Sequence, residues 1–236
     1  MRFPDPLIPG TLIKRYKRFL ADITLQDGFE ITAHCANTGS MLGVQEPGSE
    51  VWVSPANNPK RKLQYSWELV RVGSGLVGIN TGRANHLAAE AITASAIPEL
   101  TGYRAMRREV KYGKNSRIDL LLSEPEKPDC YVEVKSVTLK RGKLAEFPDS
   151  VTARDTKHLG ELVDRVRKGE RAVMLYVIQR GDVNEFAVAA DIDSAYAEAL
   201  DAARAAGVEA LCYRCRVAPD SIMVDVPVDF RTRDRA

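Results

Sequence analysis

The chain has 236 residues, 44% hydrophobic and 28% charged, with a formal net charge of only +2. That make-up fits a globular protein of one large or two small domains and excludes a disordered or strongly polyanion-like chain. Residues 1–10 carry no apolar signal core, and the longest strongly apolar run, 173–178, is too short to cross a bilayer. A cytoplasmic protein without a membrane partner is expected.

Residues 1–80 read as β-structure. A long extended run over 10–25 is followed by the turn Gln26, Asp27, Gly28 and by alternating strands near 29–35, 50–54, 63–72 and 75–79. Five short strands broken by Gly, Pro and Asn predict a small barrel, OB-like in preference to SH3-like. Lys14, Arg15, Tyr16, Lys17, Arg18 and Phe19 mix cations with rings, which suits gripping a nucleic-acid strand by phosphate contact and stacking, although core packing is the stronger reading for Tyr16 and Phe19. The tripeptide Asn-Thr-Gly follows a strand twice, at 37–39 and 80–82, where it predicts turns capped by the Asn side chain.

From Ala84 the texture turns helical. Residues 84–96 place Leu87, Ala88, Ala91 and Ile92 on one face, with Asn85 as expected N-cap and Glu90 as the one acid. A strand is predicted over 103–112. Residues 149–169 form a second helix on Leu159, Leu162, Val163 and Val166, with Arg154, Lys157 and His158 at its start. Cations there oppose the helix dipole, which invites a phosphate as partner. A buried strand over 171–179, a helix over 194–207 and a strand over 221–228 complete the order.

Charge is unevenly spread. Residues 104–143 hold eleven Lys/Arg against six Asp/Glu, with Arg107 and Arg108 among the cations, whereas 182–209 are acidic. A basic rim around a small acidic cluster suits a polyanionic substrate handled through metal ions, and ordinary surface patchiness is the alternative. Cys212 and Cys215 share a Cys-x-x-Cys spacing but lack a second pair, and in an extended stretch they face opposite sides.

The acidic cluster lies in two strand-like stretches, 117–122 and 130–137, joined by a proline-containing turn. A hairpin centred on Glu126 sets Asp119 opposite Glu133, with Lys135 on the same face. The other face pairs Ile118 with Val134, Leu120 with Val132 and Leu122 with Cys130, and belongs in a core. A slip of one residue would bury the charges, so the pattern fixes the register. Two carboxylates on adjacent strands suit Mg²⁺ or Mn²⁺, and a lysine beside the metal can orient the attacking water. A solvated cross-strand ion pair is the bland alternative.

An acid on one strand and Glu-x-Lys on the next resembles the PD-(D/E)xK nuclease superfamily, although Ile118 stands where the motif's name has proline. The resemblance implies that Asp119, Glu133 and Lys135 are catalytic. It implies Asp119, Glu133 and the Val134 carbonyl as metal ligands, with Glu90 matching the acid that many members carry on the first helix. The whole chain is similar to the sugar fermentation stimulation protein family, through R-Y-K-R-F-L-A-D (15–22), H-C-A-N-T-G-S-M (34–41), R-I-D-L-L-L (117–122), Y-V-E-V-K-S-V-T-L (131–139) and F-P-D-S-V-T-A-R-D-T-K-H-L (147–159). That likeness implies DNA binding, a link to sugar metabolism and an α+β or α/β fold class. An OB-like barrel over 1–82 would precede a PD-(D/E)xK nuclease-like α/β domain over 83–236. Lys14, Arg15, Tyr16, Arg18, Arg107, Arg108, Arg154, Lys157 and His158 are the expected nucleic-acid contacts. DNA, single-stranded DNA and RNA all stay open as partner. The expected function is metal-dependent phosphodiester hydrolysis, with a DNA-binding regulator that retains the fold as the alternative.

Overall fold

The computed structural model describes residues 1–112 and 116–232. Alternating burial along β1 (Ile8–Tyr16), β2 (Leu20–Leu25), β3 (Glu30–Cys35), β4 (Glu50–Pro55), β5 (Tyr65–Val72) and β6 (Gly75–Gly78) gives one sheet in the order β3-β2-β1-β4-β5-β6. It closes on itself where His34 pairs with Ser66 and Cys35 with Trp67, in parallel. The closed order β1-β2-β3-β5-β4 is that of an OB-like barrel, filled by Leu12, Ile23, Val51, Trp67 and Ile79.

The run expected to extend through 10–25 is instead a hairpin. Lys17 and Arg18 take φ of +48° and +63° in a three-residue turn, Lys17 to Phe19, between the paired Tyr16 and Leu20. Neither is the Gly or Asn that marks such turns, so composition hid it.

After the barrel come α1 (Ala84–Thr93), β7 (Ala105–Tyr112), β8 (Ser116–Glu124), β9 (Lys127–Val137), β10 (Leu139–Arg141), β11 (Leu144–Phe147), α2 (Ala153–Val166), β12 (Arg171–Ile178), β13 (Glu185–Val188), α3 (Ser194–Ala205), β14 (Glu209–Ala218), β15 (Ser221–Pro227) and β16 (Asp229–Phe230). The central sheet runs β15-β14-β12-β9-β8-β7, and a small sheet runs β10-β11-β13-β16. Both faces of the central sheet are covered, so its middle strands are apolar on both sides, as in α/β proteins. Cys130, Val132 and Val134 face a core shared with α1 and with the barrel's Trp52 and Leu69. Tyr131 and Val137 face α2 and α3. Cys212 and Cys215 point into these two different cores and are free buried thiols.

The chain start does not stay with the barrel. Met1, Phe3 and Leu7 lie in the core beneath α1, and the Phe3 N–H donates to the Asp220 carbonyl at 2.9 Å. Among the described residues no helix is long and apolar enough to cross a membrane.

Candidate active site

The hairpin of β8 and β9 keeps the expected register where it pairs, with Leu120 opposite Val132 and Leu122 opposite Cys130. Its turn is tighter than expected, since Glu124 pairs with Lys127 and a register shift sets Pro128 and Asp129 together against Ser123. The pairing expected between Ile118 and Val134 does not form. Ile118 belongs to the core under α2, and the Val134 N–H donates to Asp119 Oδ2 at 2.8 Å. A carboxylate thus sits where a backbone carbonyl would continue the ladder.

Across the sheet, Glu109 of β7 holds φ of +53° between the pairs Arg108–Leu120 and Val110–Ile118. A side chain rarely adopts that backbone, and such strain clusters at working sites.

The polar face of β9 is not solvated. Glu133 is 3% and Lys135 7% exposed, because α2 lies over them. Thr152 caps α2 by accepting from the Asp155 N–H, and its hydroxyl donates to Asp155 Oδ2 at 2.7 Å. Asp155 and His158, three apart on one helix face, then point at β9. Lys135 Nζ donates to Asp155 Oδ1 at 2.6 Å and to Glu133 Oε1 at 2.9 Å, and His158 Nδ1 donates to the same Glu133 oxygen.

Burial alone would raise Glu133, but the His158 and Lys135 bonds outweigh it and hold its pKa below the ordinary value. Burial alone would lower Lys135, and the flanking Glu133 and Asp155 carboxylates outweigh that and raise it. Asp119 has less help. Burial, then repulsion from Glu133, push it up to about 6 in spite of the bonds from Val134 and Asn85. Glu133 Oε2 is buried without a hydrogen-bond partner among the described residues. The buried Tyr112 hydroxyl lies in the same field, raised by burial and by Glu133, Glu161 and Asp119.

Lys135 and Glu133 are bonded to each other, and Asp119 lies on the neighbouring strand against the Val134 N–H, but Glu90 does not join them. It pairs with the Met1 ammonium at 2.8 Å on another side of α1. The α1 residue that reaches Asp119 is Asn85, whose amide donates to Oδ1 at 2.6 Å and lies 3.5 Å from Glu109 Oε1. Asn85 is also not the N-cap; that position is Arg83, whose side chain makes no capping bond and pairs with Glu68 instead. Sequence reasoning missed Asn85, Glu109 and Asp155. The signals were present but ambiguous, since a Thr-x-x-Asp spacing reads first as a helix cap.

Beside the cluster runs a cleft of about 330 Å³, lined on the body by Asn85, Val134, Lys135, Thr152 and Asp155 and on the barrel by Arg18 and residues 37–39.

Comparison with known proteins agrees with this two-part layout. Residues 13–79 match the N-terminal OB domain of the sugar fermentation stimulation proteins, and residues 82–221 match their RE domain. This chain belongs to the sugar fermentation stimulation protein family.

A curated member from Paramagnetospirillum magneticum is 59% identical over all of both chains, and one from Rhodospirillum centenum is 58% identical over 95% of this chain and 97% of its own. The solved structure of the Pyrococcus furiosus member in complex with Ca²⁺ superposes with a TM-score of 0.89 at 27% identity, covering 98% of each chain.

The cations expected to hold nucleic acid divide into groups in this family member. Arg18 is exposed and lines the cleft, donating to the Thr38 carbonyl at 3.0 Å. Arg107, Arg108 and Arg154 are exposed. Lys157 is half exposed, 3.6 Å from Glu161. Lys14 lies 3.7 Å from Asp22 and over the Tyr16 ring, whose hydroxyl also bonds Asp22, so this pair serves the barrel wall.

Two expectations are overturned. Arg15 turns inward, because its guanidinium donates to the carbonyls of Arg18, Asn37 and Gly39, each at 3.0 Å. His158 is 6% exposed and bound to Glu133, out of reach of any backbone phosphate.

Proposed function

We propose that this cluster is a metal-dependent phosphodiester-hydrolysing centre of the PD-(D/E)xK kind, acting on nucleic acid held by the barrel and the basic rim. The observation that carries the reading is the convergence of Asp119 and Glu133 beside Lys135, with Glu133 Oε2 buried and unpartnered among the described residues. A buried carboxylate oxygen without a partner, whose charge also raises the neighbouring Asp119, is a group that a cation would satisfy. Among the described residues no three His, Cys, Asp or Glu side chains converge on one ion position. Two carboxylates with a backbone carbonyl suit Mg²⁺ or Mn²⁺, which keep several waters and take further oxygens from a substrate phosphate. The Ca²⁺ bound by the Pyrococcus furiosus relative, another hard cation, supports oxygen ligation at this fold.

Asp119 and Glu133, with the Val134 carbonyl, would hold the ion, which supplies charge neutralisation at the phosphate and a more acidic water. Lys135, fixed by Asp155, orients the attacking water by donating to its oxygen. Asn85 fixes the Asp119 carboxylate, and His158 fixes Glu133. In the net reaction the water oxygen bonds to phosphorus, a P–O ester bond breaks, and the water's proton ends on the leaving alcohol. Regulation of sugar-metabolism genes by binding alone is the second reading, favoured by the fully engaged state of Lys135.

The test is incubation with plasmid and oligonucleotide substrates in Mg²⁺ or Mn²⁺, then in EDTA. Cleavage that needs the metal and is lost in Asp119→Ala and Lys135→Met supports hydrolysis. Tight DNA binding without cleavage in either metal favours the regulator.

A further inference from the structure

We infer that the cleft beside the cluster admits one nucleic-acid strand at a time, so that single-stranded DNA or RNA, and not the paired interior of a duplex, is the polymer this site serves. The inference rests on the phosphodiester reading above for what happens at the cluster, but strand selection itself stands on the walls of the cleft.

The barrel wall is fixed from three sides. Within the barrel, the Arg15 guanidinium ties the Arg18 turn to the 37–39 loop. Below, the Thr81 hydroxyl donates to the Ala36 carbonyl at 2.6 Å, so the two Asn-Thr-Gly turns abut. Each is held by its own Asn, which accepts from the Gly N–H at 2.9 Å in one and 3.1 Å in the other.

Towards the body, Asp149 accepts from the Met41 N–H at 2.9 Å, and the Ser40 hydroxyl donates to the Asp149 carbonyl. The approach is so close that a Cβ on Gly39 would clash with the Asp149 carboxylate. A wall latched to the opposite side cannot swing away to admit a double helix.

What remains between the walls is about 330 Å³, near the lower end for pockets that hold a small ligand. Lys135, at 7% exposure, lies at its floor. In a duplex the second strand stands behind every phosphate and would strike the 37–39 loop first. An unpaired strand can bend its backbone into the cleft.

The lips carry the groups such a strand needs. Arg18 and Val151 line the cleft from its two sides, Val151 being 76% exposed, and Phe19, which follows Arg18 on the turn outside the lining, is 45% exposed. An aromatic face beside a guanidinium is the usual combination for stacking an unpaired base while gripping its phosphate. The carboxylates inside do not repel that phosphate freely, because Glu146 is bound to Arg141, Asp149 to the Met41 N–H and Asp155 to Lys135.

The experiment compares binding of the full chain, by fluorescence anisotropy in EDTA and in Mg²⁺, to a labelled DNA strand, the RNA of the same sequence, the blunt duplex and the duplex with a single-stranded flap. Binding of a strand or flap at least about tenfold tighter than the blunt duplex is expected, with Phe19→Ala and Arg18→Ala each losing about tenfold on the strand only. Both residues lie exposed on a turn, so the variants should melt as the parent does. Equal affinity for strand and duplex, or strand affinity unmoved in both variants, overturns the inference. Strand preference that the variants abolish, with no cleavage of any substrate, sinks the hydrolytic reading and leaves the strand inference standing.

Discussion

Asp119 and Glu133 lie on the neighbouring strands β8 and β9, yet only Glu133 is hydrogen-bonded to cations, and the imbalance has consequences for stability. Asp119 ionises near 3.8 when unfolded and about 6 in the folded chain, chiefly through burial. Between those values the folded chain keeps a proton that the unfolded chain has released. The contribution of Asp119 to the stability of the metal-free protein should therefore fall as pH rises from about 4 to 6 and then level off, a loss of about 3 kcal/mol. Asp119→Asn should flatten that slope and raise the melting temperature at pH 7 in EDTA. If Asp119 is a metal ligand, the same variant should also lack any rise in melting temperature that Mg²⁺ or Mn²⁺ produces in the parent protein. An Asn variant that melts earlier and keeps the slope would show that Asp119 is not under this strain. Asp155 makes the opposite case, because it balances a buried ammonium. Asp155→Ala leaves Lys135 with Glu133 alone among its two carboxylates and should cost about 3 kcal/mol in urea unfolding. Asp155→Asn, which keeps a hydrogen-bond acceptor, should recover part of that.

Among the elements, the β1–β2 turn departs furthest from what its residues prefer. Two consecutive L-residues in left-handed backbone cost roughly 1–2 kcal/mol each. Lys17→Gly should therefore raise the unfolding free energy by roughly 0.5–1 kcal/mol, since Lys17 is exposed and glycine adopts that φ freely. A destabilised Gly variant would mean that the Lys17 side chain contributes to the fold. The same turn shows what could be read in advance. Alternation located most strands, and the Leu120–Val132 and Leu122–Cys130 pairs followed from counting outward from Glu126. The period along α2 found Leu159 and Leu162. Hidden from such counting were contacts made by long-range side chains. Asn85 reaches Asp119 across 34 positions, and β8 parts from β9 because a carboxylate replaces a carbonyl. Glu90 was expected at the metal site and Asn85 only at the helix cap, but a helix turns 100° per residue, which carries Glu90 round to the Met1 ammonium. His158 stood among surface cations in sequence, whereas the pitch of α2 turned it beneath the helix.

At the scale of the whole molecule, barrel and body are built as one cooperative unit in spite of their separate sheets. Trp52 and Leu69 leave the barrel interior and pack in the same core as Leu87, Leu120 and Val173 of the body. Met1, Phe3 and Leu7 run back beneath α1, so the chain's start is fastened to its last third. Val77 of β6 bridges to Arg180, and the Gly78 N–H donates to the Gln179 carbonyl at 2.8 Å, which carries backbone hydrogen bonding from the barrel to the end of β12. Separating the halves would expose all of these apolar groups at once, each fully buried side chain being worth about 1.5–3 kcal/mol. Against a typical domain stability of about 5–15 kcal/mol, that loss is decisive. The full chain should accordingly melt in a single calorimetric transition whose van't Hoff and calorimetric enthalpies agree. Fragments cut near residue 82 should each be poorly folded alone and should regain near-ultraviolet dichroism only when mixed. Two resolved transitions, or a barrel fragment that melts cooperatively by itself, would mean that the shared core is an interface between independent domains, and the fixed width of the cleft would then lose its structural basis.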